Sequence, residues 1–166
     1  MIRNAEISDA PRIAEIIVNS TRYAYQTFLS QEILYIHIQF INLIKSVERW
    51  INGNDNYIYV YEDNKTKIGK GMMGIDKSYD DDKQNAYELH ILYVEPEFSR
   101  SGIGTELIEY FENTSRKNKI NELVVWVLEE NKIGIRFYEK IGFICDGKTK
   151  IFERYNKNER RYIKEI

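Results

Sequence analysis

The sequence predicts an α/β fold, and two stretches carry the prediction. Tyr87 to Val94 is nearly all β-branched, aromatic or leucine, and Pro96 removes a backbone donor just beyond it, so a strand ends there. From Ile103 the pattern changes, because Ile103, Leu107, Ile108 and Phe111 repeat at helical spacing with Glu106, Glu109 and Glu112 between them. The second stretch, Leu123 to Leu128 (L-V-V-W-V-L), is a near-continuous apolar run, the mark of an interior strand covered on both faces. Strand, helix and second buried strand together imply a right-handed crossover and a parallel pair.

The other elements follow in chain order. Ile2 to Glu6 alternates like a short strand, and Ser8, Asp9 and Pro11 open a helix on which Ile13, Ile16 and Ile17 repeat. Arg22 to Phe28 is dense in aromatics without a period. Ser30 caps a second, longer helix carrying Ile33, Ile36, Phe40, Leu43, Ile44, Val47 and Ile51 as far as Gly53, with His37 expected at the core edge. Tyr57 to Tyr61 reads as a strand, and the three glycines within Ile68 to Ile75 suggest a bulged or closely packed one. Asp76 to Gln84, with Asp80, Asp81 and Asp82 in a row, reads as an exposed hairpin loop. Asn131 opens a helix that Gly142 stops. Phe143 to Asp146 and Ile151 to Tyr155 are strand-like, and Arg161 to Ile166 is expected as a closing edge strand.

Composition narrows the class. At 166 residues, 43% hydrophobic and 30% charged, the chain is ordinary globular material and is expected to form one domain over residues 1–166. A formal net charge of -2 argues against a protein that grips nucleic acid through phosphate neutralisation. The lone Cys145 can form no internal disulfide and is expected as a small apolar residue on a strand. With no leader-like N-terminus and no long apolar run, the expected setting is cytoplasmic, without membrane.

The chemistry concentrates between the strand ending at Val94 and the helix beginning near Ile103. First-turn amides lack intrahelical partners and sit at the positive end of the helix dipole, so Gly102 and Gly104, lacking a Cβ, would let a phosphate approach them. A P-loop is excluded, since Thr105 and Glu106 follow Gly104 where a lysine is needed. A Rossmann turn fits poorly, since Leu107 fills its third small position. A plain tight strand-to-helix turn stays open on this motif alone.

Ser99-Arg100-Ser101-Gly102-Ile103-Gly104 after a strand ending in valine resembles the acetyl-CoA signature of the GNAT superfamily of N-acetyltransferases, Gln/Arg-x-x-Gly-x-Gly/Ala, with Ser99 in the first position and Arg100 beside it. The later run resembles the same superfamily, with Asn131 after the second strand, Phe137 and Tyr138 on the next helix, then Gly142 and Phe143. The resemblance implies a mixed, mostly antiparallel sheet of about seven strands flanked by four helices. It implies acetyl-CoA as cosubstrate, bound by Leu92, Val94, Arg100, Ser101, Gly102, Ile103, Gly104, Thr105 and Asn131. It makes Glu88 the candidate base, with His90 as alternative, and Tyr138 the candidate acid. Tyr23, Tyr25 and Phe28 become acceptor-pocket candidates, with simple packing as the other reading.

The implied reaction can be checked against elementary chemistry. An alkylamine is mostly ammonium at neutral pH and has no lone pair to attack with, so a base is required. The leaving thiolate needs a proton or a hydrogen bond, which a phenol supplies. Glu88 shares a strand face with His90 and Leu92 by alternation, unless a bulge shifts the register. The expected function is therefore direct transfer of acetyl to a primary amine of a small molecule, with no covalent acyl-enzyme and no metal. The aspartate run makes polyamines the favoured acceptors through long-range attraction. A protein N-terminus or lysine as acceptor, and a non-catalytic acyl-CoA-binding module, are the alternatives. A homodimer is compatible with this reading.

Overall fold

The computed structural model describes residues 1–37, 39–53 and 57–166, and the side chains of all of these except His37 and Tyr57. The expectation for the His37 side chain therefore lies outside the described residues. The strands are β1 (Ile2–Asn4), β2 (Tyr57–Glu62), β3 (Gly69–Lys77), β4 (Tyr87–Val94), β5 (Glu122–Leu128), β6 (Ile144–Phe152) and β7 (Lys157–Glu165). The helices are α1 (Ala10–Tyr25), α2 (Gln31–His37), α3 (Phe40–Asn52), α4 (Ile103–Lys117) and α5 (Lys132–Lys140). Among the described residues one seven-stranded sheet runs in the order β1-β2-β3-β4-β5-β7-β6. Every ladder is antiparallel except β4–β5, the parallel pair made by the α4 crossover.

Each face of the sheet packs its own core. On one side Leu89, Leu92 and Val94 of β4 join Val125 and Val127 of β5 beneath Ile103, Leu107, Ile108 and Phe111 of α4, with Tyr138 of α5 completing the cluster. On the other, Ile91 and Tyr93 lie with Ile13, Ile16 and Ile17 of α1 and Val47 of α3. These apolar stripes account for the helical spacing in the sequence.

Three expectations are corrected. The long helix from Ser30 to Gly53 is two helices, α2 and α3, with Gln39 extended before Phe40. The reason lies in packing: Leu34 of α2 buries against Val18 and Leu29, whereas Val47 of α3 buries against α1 and β2. One straight helix would not reach both clusters, and Ile36 and Phe40, expected inside, are exposed at the break. Five α-helices thus flank the sheet among the described residues, not four.

Second, β7 is not an edge strand. It inserts between β5 and β6, pairing with both, and Arg161 within it is buried. Third, the aspartate run is no free acidic loop. Arg161 Nη1 donates to Asp80 at 3.0 Å and to Asp82 at 2.7 Å, and its Nε donates to Asp146 at 2.7 Å. Trp126 Nε1 also donates to Asp80. Cys145 lies on β6 as expected, but exposed.

Candidate active site

The site begins where β4 and β5 part. They pair only at Tyr87–Leu123, Glu88–Val124 and Leu89–Val125, although both strands run on beyond. From His90 onward β4 keeps β3 on one edge and, among the described residues, has no strand on the other. The amide of Glu95 donates to Lys70 on the β3 side at 2.9 Å, so by alternation the peptide groups of Leu92 and Val94 face the opening. In agreement, the Val94 carbonyl accepts from Ser20 Oγ of α1, at 2.9 Å.

Next to this open edge stands the N-terminus of α4. Gly102 caps it in the left-handed region, at φ 93, and a Cβ there would meet nothing within 4 Å. Glu106 donates to the Gly102 carbonyl at 3.0 Å, which leaves the earlier amides of the turn without intrahelical acceptors. Arg100, also left-handed at φ 63, is exposed beside Ser99 and Thr105, while Ser101 Oγ donates to the Phe98 carbonyl at 2.6 Å. Ile103 points inward against Gly71. Gly104 serves a different purpose from the one its position suggested. A Cβ on it would come within 3.2 Å of the Phe137 ring, so Gly104 lets α5 pack closely on α4. Asn131 is the N-cap of α5, its Oδ1 accepting from the Gly134 amide at 3.0 Å.

A bulge then sorts the side chains of β4. Ile75 pairs with Leu89 but Gly74 pairs with Ile91, so His90 is the extra residue. Glu88 accordingly does not share a face with Leu92. It lies on the α1 side with Ile91 and Tyr93, while Leu92 faces α4. Glu88 is 6% exposed. Its carboxylate accepts from Ser78 Oγ at 3.5 Å, and His90 Nδ1 stands 3.1 Å from its Oε1. The solvent-exposed His90 packs its ring on Tyr79, centroids 5.4 Å apart, giving the couple an outlet to solvent.

Tyr138 belongs to the α4-side core, with its ring edge-on to Phe143. Burial, and then the charge of Tyr93, push its pKa far up, so its hydroxyl keeps its proton. Tyr25 is held protonated in the same way, by burial first and then by Tyr93, Tyr155, Tyr138 and Glu159. Tyr25 packs on Phe28 at 5.2 Å and edge-on to Tyr155 at 6.0 Å. The structure thus pairs Glu88 with His90 on the α1 side of the sheet and packs Tyr25 with Phe28 and Tyr155, while Tyr138 belongs to the α4-side core. Tyr23 stays apart, 47% exposed on α1.

Sequence reasoning missed Tyr93 on the α1 side of β4, Ser78 beside Glu88, Tyr155 beside Tyr25, and Glu159 on β7. Only the alternation of β4 past the bulge could have flagged Tyr93. The others arrive from distant loops and from β7. Among the described residues no cluster of His, Cys, Asp or Glu could hold a metal ion, and no helix is long and apolar enough to cross a membrane.

The fold is that of the N-acetyltransferases. It superposes on the PaiA N-acetyltransferase from Thermoplasma acidophilum, solved in complex with coenzyme A, with a TM-score of 0.78 at 21% identity, covering 100% of this chain and 98% of that one. A GCN5-related N-acetyltransferase from Rhodopseudomonas palustris superposes with a TM-score of 0.79 at 17% identity, covering 100% and 95%. In sequence, an uncharacterised N-acetyltransferase of Methanocaldococcus jannaschii is 37% identical over 62 residues, which is 37% of this chain and 27% of that relative. The acetyltransferase (GNAT) family profile matches residues 18–143, and the chain belongs to that family.

Proposed function

We propose that this protein transfers the acetyl group of acetyl-CoA directly to a primary amine of a small molecule. The observation that carries the reading is the loss of β4–β5 pairing after Leu89 and Val125, which leaves the Leu92 and Val94 peptide groups open beside the unpartnered amides of α4. A pantetheine arm can pair with that edge as a strand would. The pyrophosphate finds the α4 amides and the free space at Gly102, with Ser101, Ile103, Thr105 and Arg100 around it. Asn131 caps the helix that carries Tyr138 to the gap, so its contribution to acetyl-CoA binding is to fix that helix.

The reaction needs two proton movements. Glu88, coupled to His90, takes one proton from the ammonium, and the freed lone pair attacks the thioester carbon. The Val94 amide, facing the opening, donates to the carbonyl oxygen as negative charge gathers there. The C–N bond forms, the C–S bond breaks, and the second amine proton leaves with the departing thiolate or to water. A thiolate is less basic than a phenolate, so Tyr138 acts chiefly as a hydrogen-bond donor to the sulfur. Tyr25, Phe28 and Tyr155 close the acceptor end. The Tyr25–Tyr155 contact bridges α1 and the β6–β7 turn across what would otherwise be a groove, which favours a small acceptor over a peptide chain.

The test is thiol release from acetyl-CoA across polyamines, amino acids, aminoglycosides and short peptides, beside a no-acceptor control and a thermal shift with CoA. Release with small amines supports the reading. Release with peptides alone moves the acceptor class to proteins, and stabilisation by CoA without release under any condition makes the chain a binding module.

A further inference from the structure

The α1 side of the sheet carries a carboxylate that the reaction above does not use. Glu159 lies on β7, paired with Leu128 of β5 on one side and Lys150 of β6 on the other. Partners across an antiparallel ladder share a face, and Val124 pairs with both Glu88 and Ile163, so Glu159, Arg161 and Glu88 all project from the α1 side of the sheet. Glu159 is half-buried, and among the described residues no hydrogen bond or ion pair engages its carboxylate. Lys150, its closest cation, turns its ammonium onto the Trp126 ring at 4.0 Å instead. Burial raises the Glu159 pKa, Lys150 opposes that rise, and the charge of Glu88 adds to it.

We infer that Glu159 is a specificity residue of the acceptor site, binding the distal ammonium of an acceptor that carries a second cationic nitrogen. This rests on the transferase reading above. The preferred acceptors are then aliphatic diamines and longer polyamines, drawn by Glu159 rather than by the aspartate run, whose Asp80 and Asp82 are taken up by Arg161.

Geometry fits a two-headed ligand. Glu88 stands beside Val124 and Glu159 beside Leu128, with β5 between their strands. Strand spacings of about 4.8 Å and a rise of about 3.3 Å per residue put their α-carbons roughly 16 Å apart. Two glutamate side chains leaning into the opening reduce that to about 10 Å, the span of a short diamine held by a carboxylate at each end. Tyr25, Phe28 and Tyr155 supply an apolar and aromatic wall for the methylenes and for the cation between those ends. A half-buried carboxylate without a partner carries a desolvation penalty that such an ammonium removes.

The experiment compares butylamine, 1,4-diaminobutane and spermidine as acceptors, which separates the second charge from chain length. In the wild type kcat/KM for 1,4-diaminobutane should exceed that for butylamine by about tenfold or more, the worth of one charge-assisted hydrogen bond. Glu159→Gln should bring that ratio to near one, and stabilisation by CoA certifies that the variant has folded. Glu159→Asp, which keeps the charge on a shorter arm, should retain a diamine preference and shift it toward the longer acceptor. A wild-type ratio near one, or a ratio that survives Glu159→Gln, overturns the inference. Failure of all three amines with CoA stabilisation intact also overturns it while leaving a CoA-binding site, and loss of CoA stabilisation as well shows that the transferase reading itself has failed.

Discussion

Arg161 is the residue whose loss should be felt both in stability and in turnover. Its side chain is 3% exposed and donates to three carboxylates, those of Asp80, Asp82 and Asp146, which are 19%, 51% and 15% exposed. Arg161→Met keeps the length and removes every donor. Removing one partner of a buried ion pair typically costs roughly 3–5 kcal/mol. Asp82 can rehydrate where it stands, so the lower end applies, about 3 kcal/mol. For a domain of this size that is a fall in Tm of about 6–12 °C.

The same change loosens the segment between β3 and β4, which carries Ser78 to Glu88 and Tyr79 to His90. We therefore expect kcat to fall about fivefold to tenfold while KM for acetyl-CoA, bound at the far end of β4, stays as it was. A pH dependence follows. Burial pushes the Asp146 carboxyl up, but hydrogen bonding from Arg161 and the Lys148 amide outweighs it, and Asp82 is held down by Arg161. Groups whose folded pKa is lowered stabilise fully above the unfolded value, near 4, and lose that contribution as pH falls through the folded value. The Tm gap between wild type and Arg161→Met should thus be full at neutral pH and begin to narrow as pH falls below about 4. Differential scanning fluorimetry across that range, with steady-state kinetics at neutral pH, reads all three quantities. An unchanged Tm with unchanged kcat would refute the reasoning and leave the Lys83–Glu122 pair, at 2.6 Å, as sufficient anchor for the segment.

Three further outcomes are expected. Glu88→Gln should lower kcat by about 10²- to 10³-fold with the Kd for CoA unchanged in calorimetry, and full turnover at every pH would remove Glu88 from the mechanism. Tyr138→Phe keeps the ring in the core beside Phe143 and should keep the Tm, yet lower kcat about tenfold or more. An unaltered kcat would make the hydroxyl a bystander. Gly102→Ala meets no atom but forces an alanine to φ 93, a strain of about 1–2 kcal/mol, and places a methyl group before the α4 amides. It should weaken CoA binding about tenfold in calorimetry, and an unchanged Kd would show that the phosphates lie elsewhere.

Much of the fold was legible because it is written in local periods. The β4-turn-α4 unit and the buried β5 announce themselves by spacing and apolarity alone, and so does their parallel crossover. What was not legible depends on residues far apart in the chain. Arg161 looks like a charged residue on an exposed edge, and only its meeting with Asp80, Asp82 and Asp146 makes an interior strand of β7. Gly104 could be read as room for a ligand, but its constraint comes from Phe137, a full crossover away. Glu88 and Tyr138 were visible through family resemblance. Glu159 had no signal at all, since a glutamate among the charges of K-N-E-R-R gives no hint that it is half-buried.

The bulge at His90 links the two halves of the site. On an unbroken strand Glu88 and Leu92 would share a face, so a base facing the acceptor would drag Leu92 and Val94 out of the core under α4. One extra residue removes the conflict: Glu88 lies on the α1 side with Ile91 and Tyr93, and Leu92 and Val94 lie on the α4 side with Ile103 and Leu107. The shift also turns the Leu92 and Val94 peptide groups to the edge that β5 abandons. On the partner strand the bulge is fixed by Gly74, where any Cβ would lie 2.8 Å from Ile91 and 2.9 Å from Ile58. The glycine run in β3, which suggested a bulged or closely packed strand, is therefore what lets a single strand present the proposed base to one side, a hydrophobic face to the other and open backbone to the gap between them.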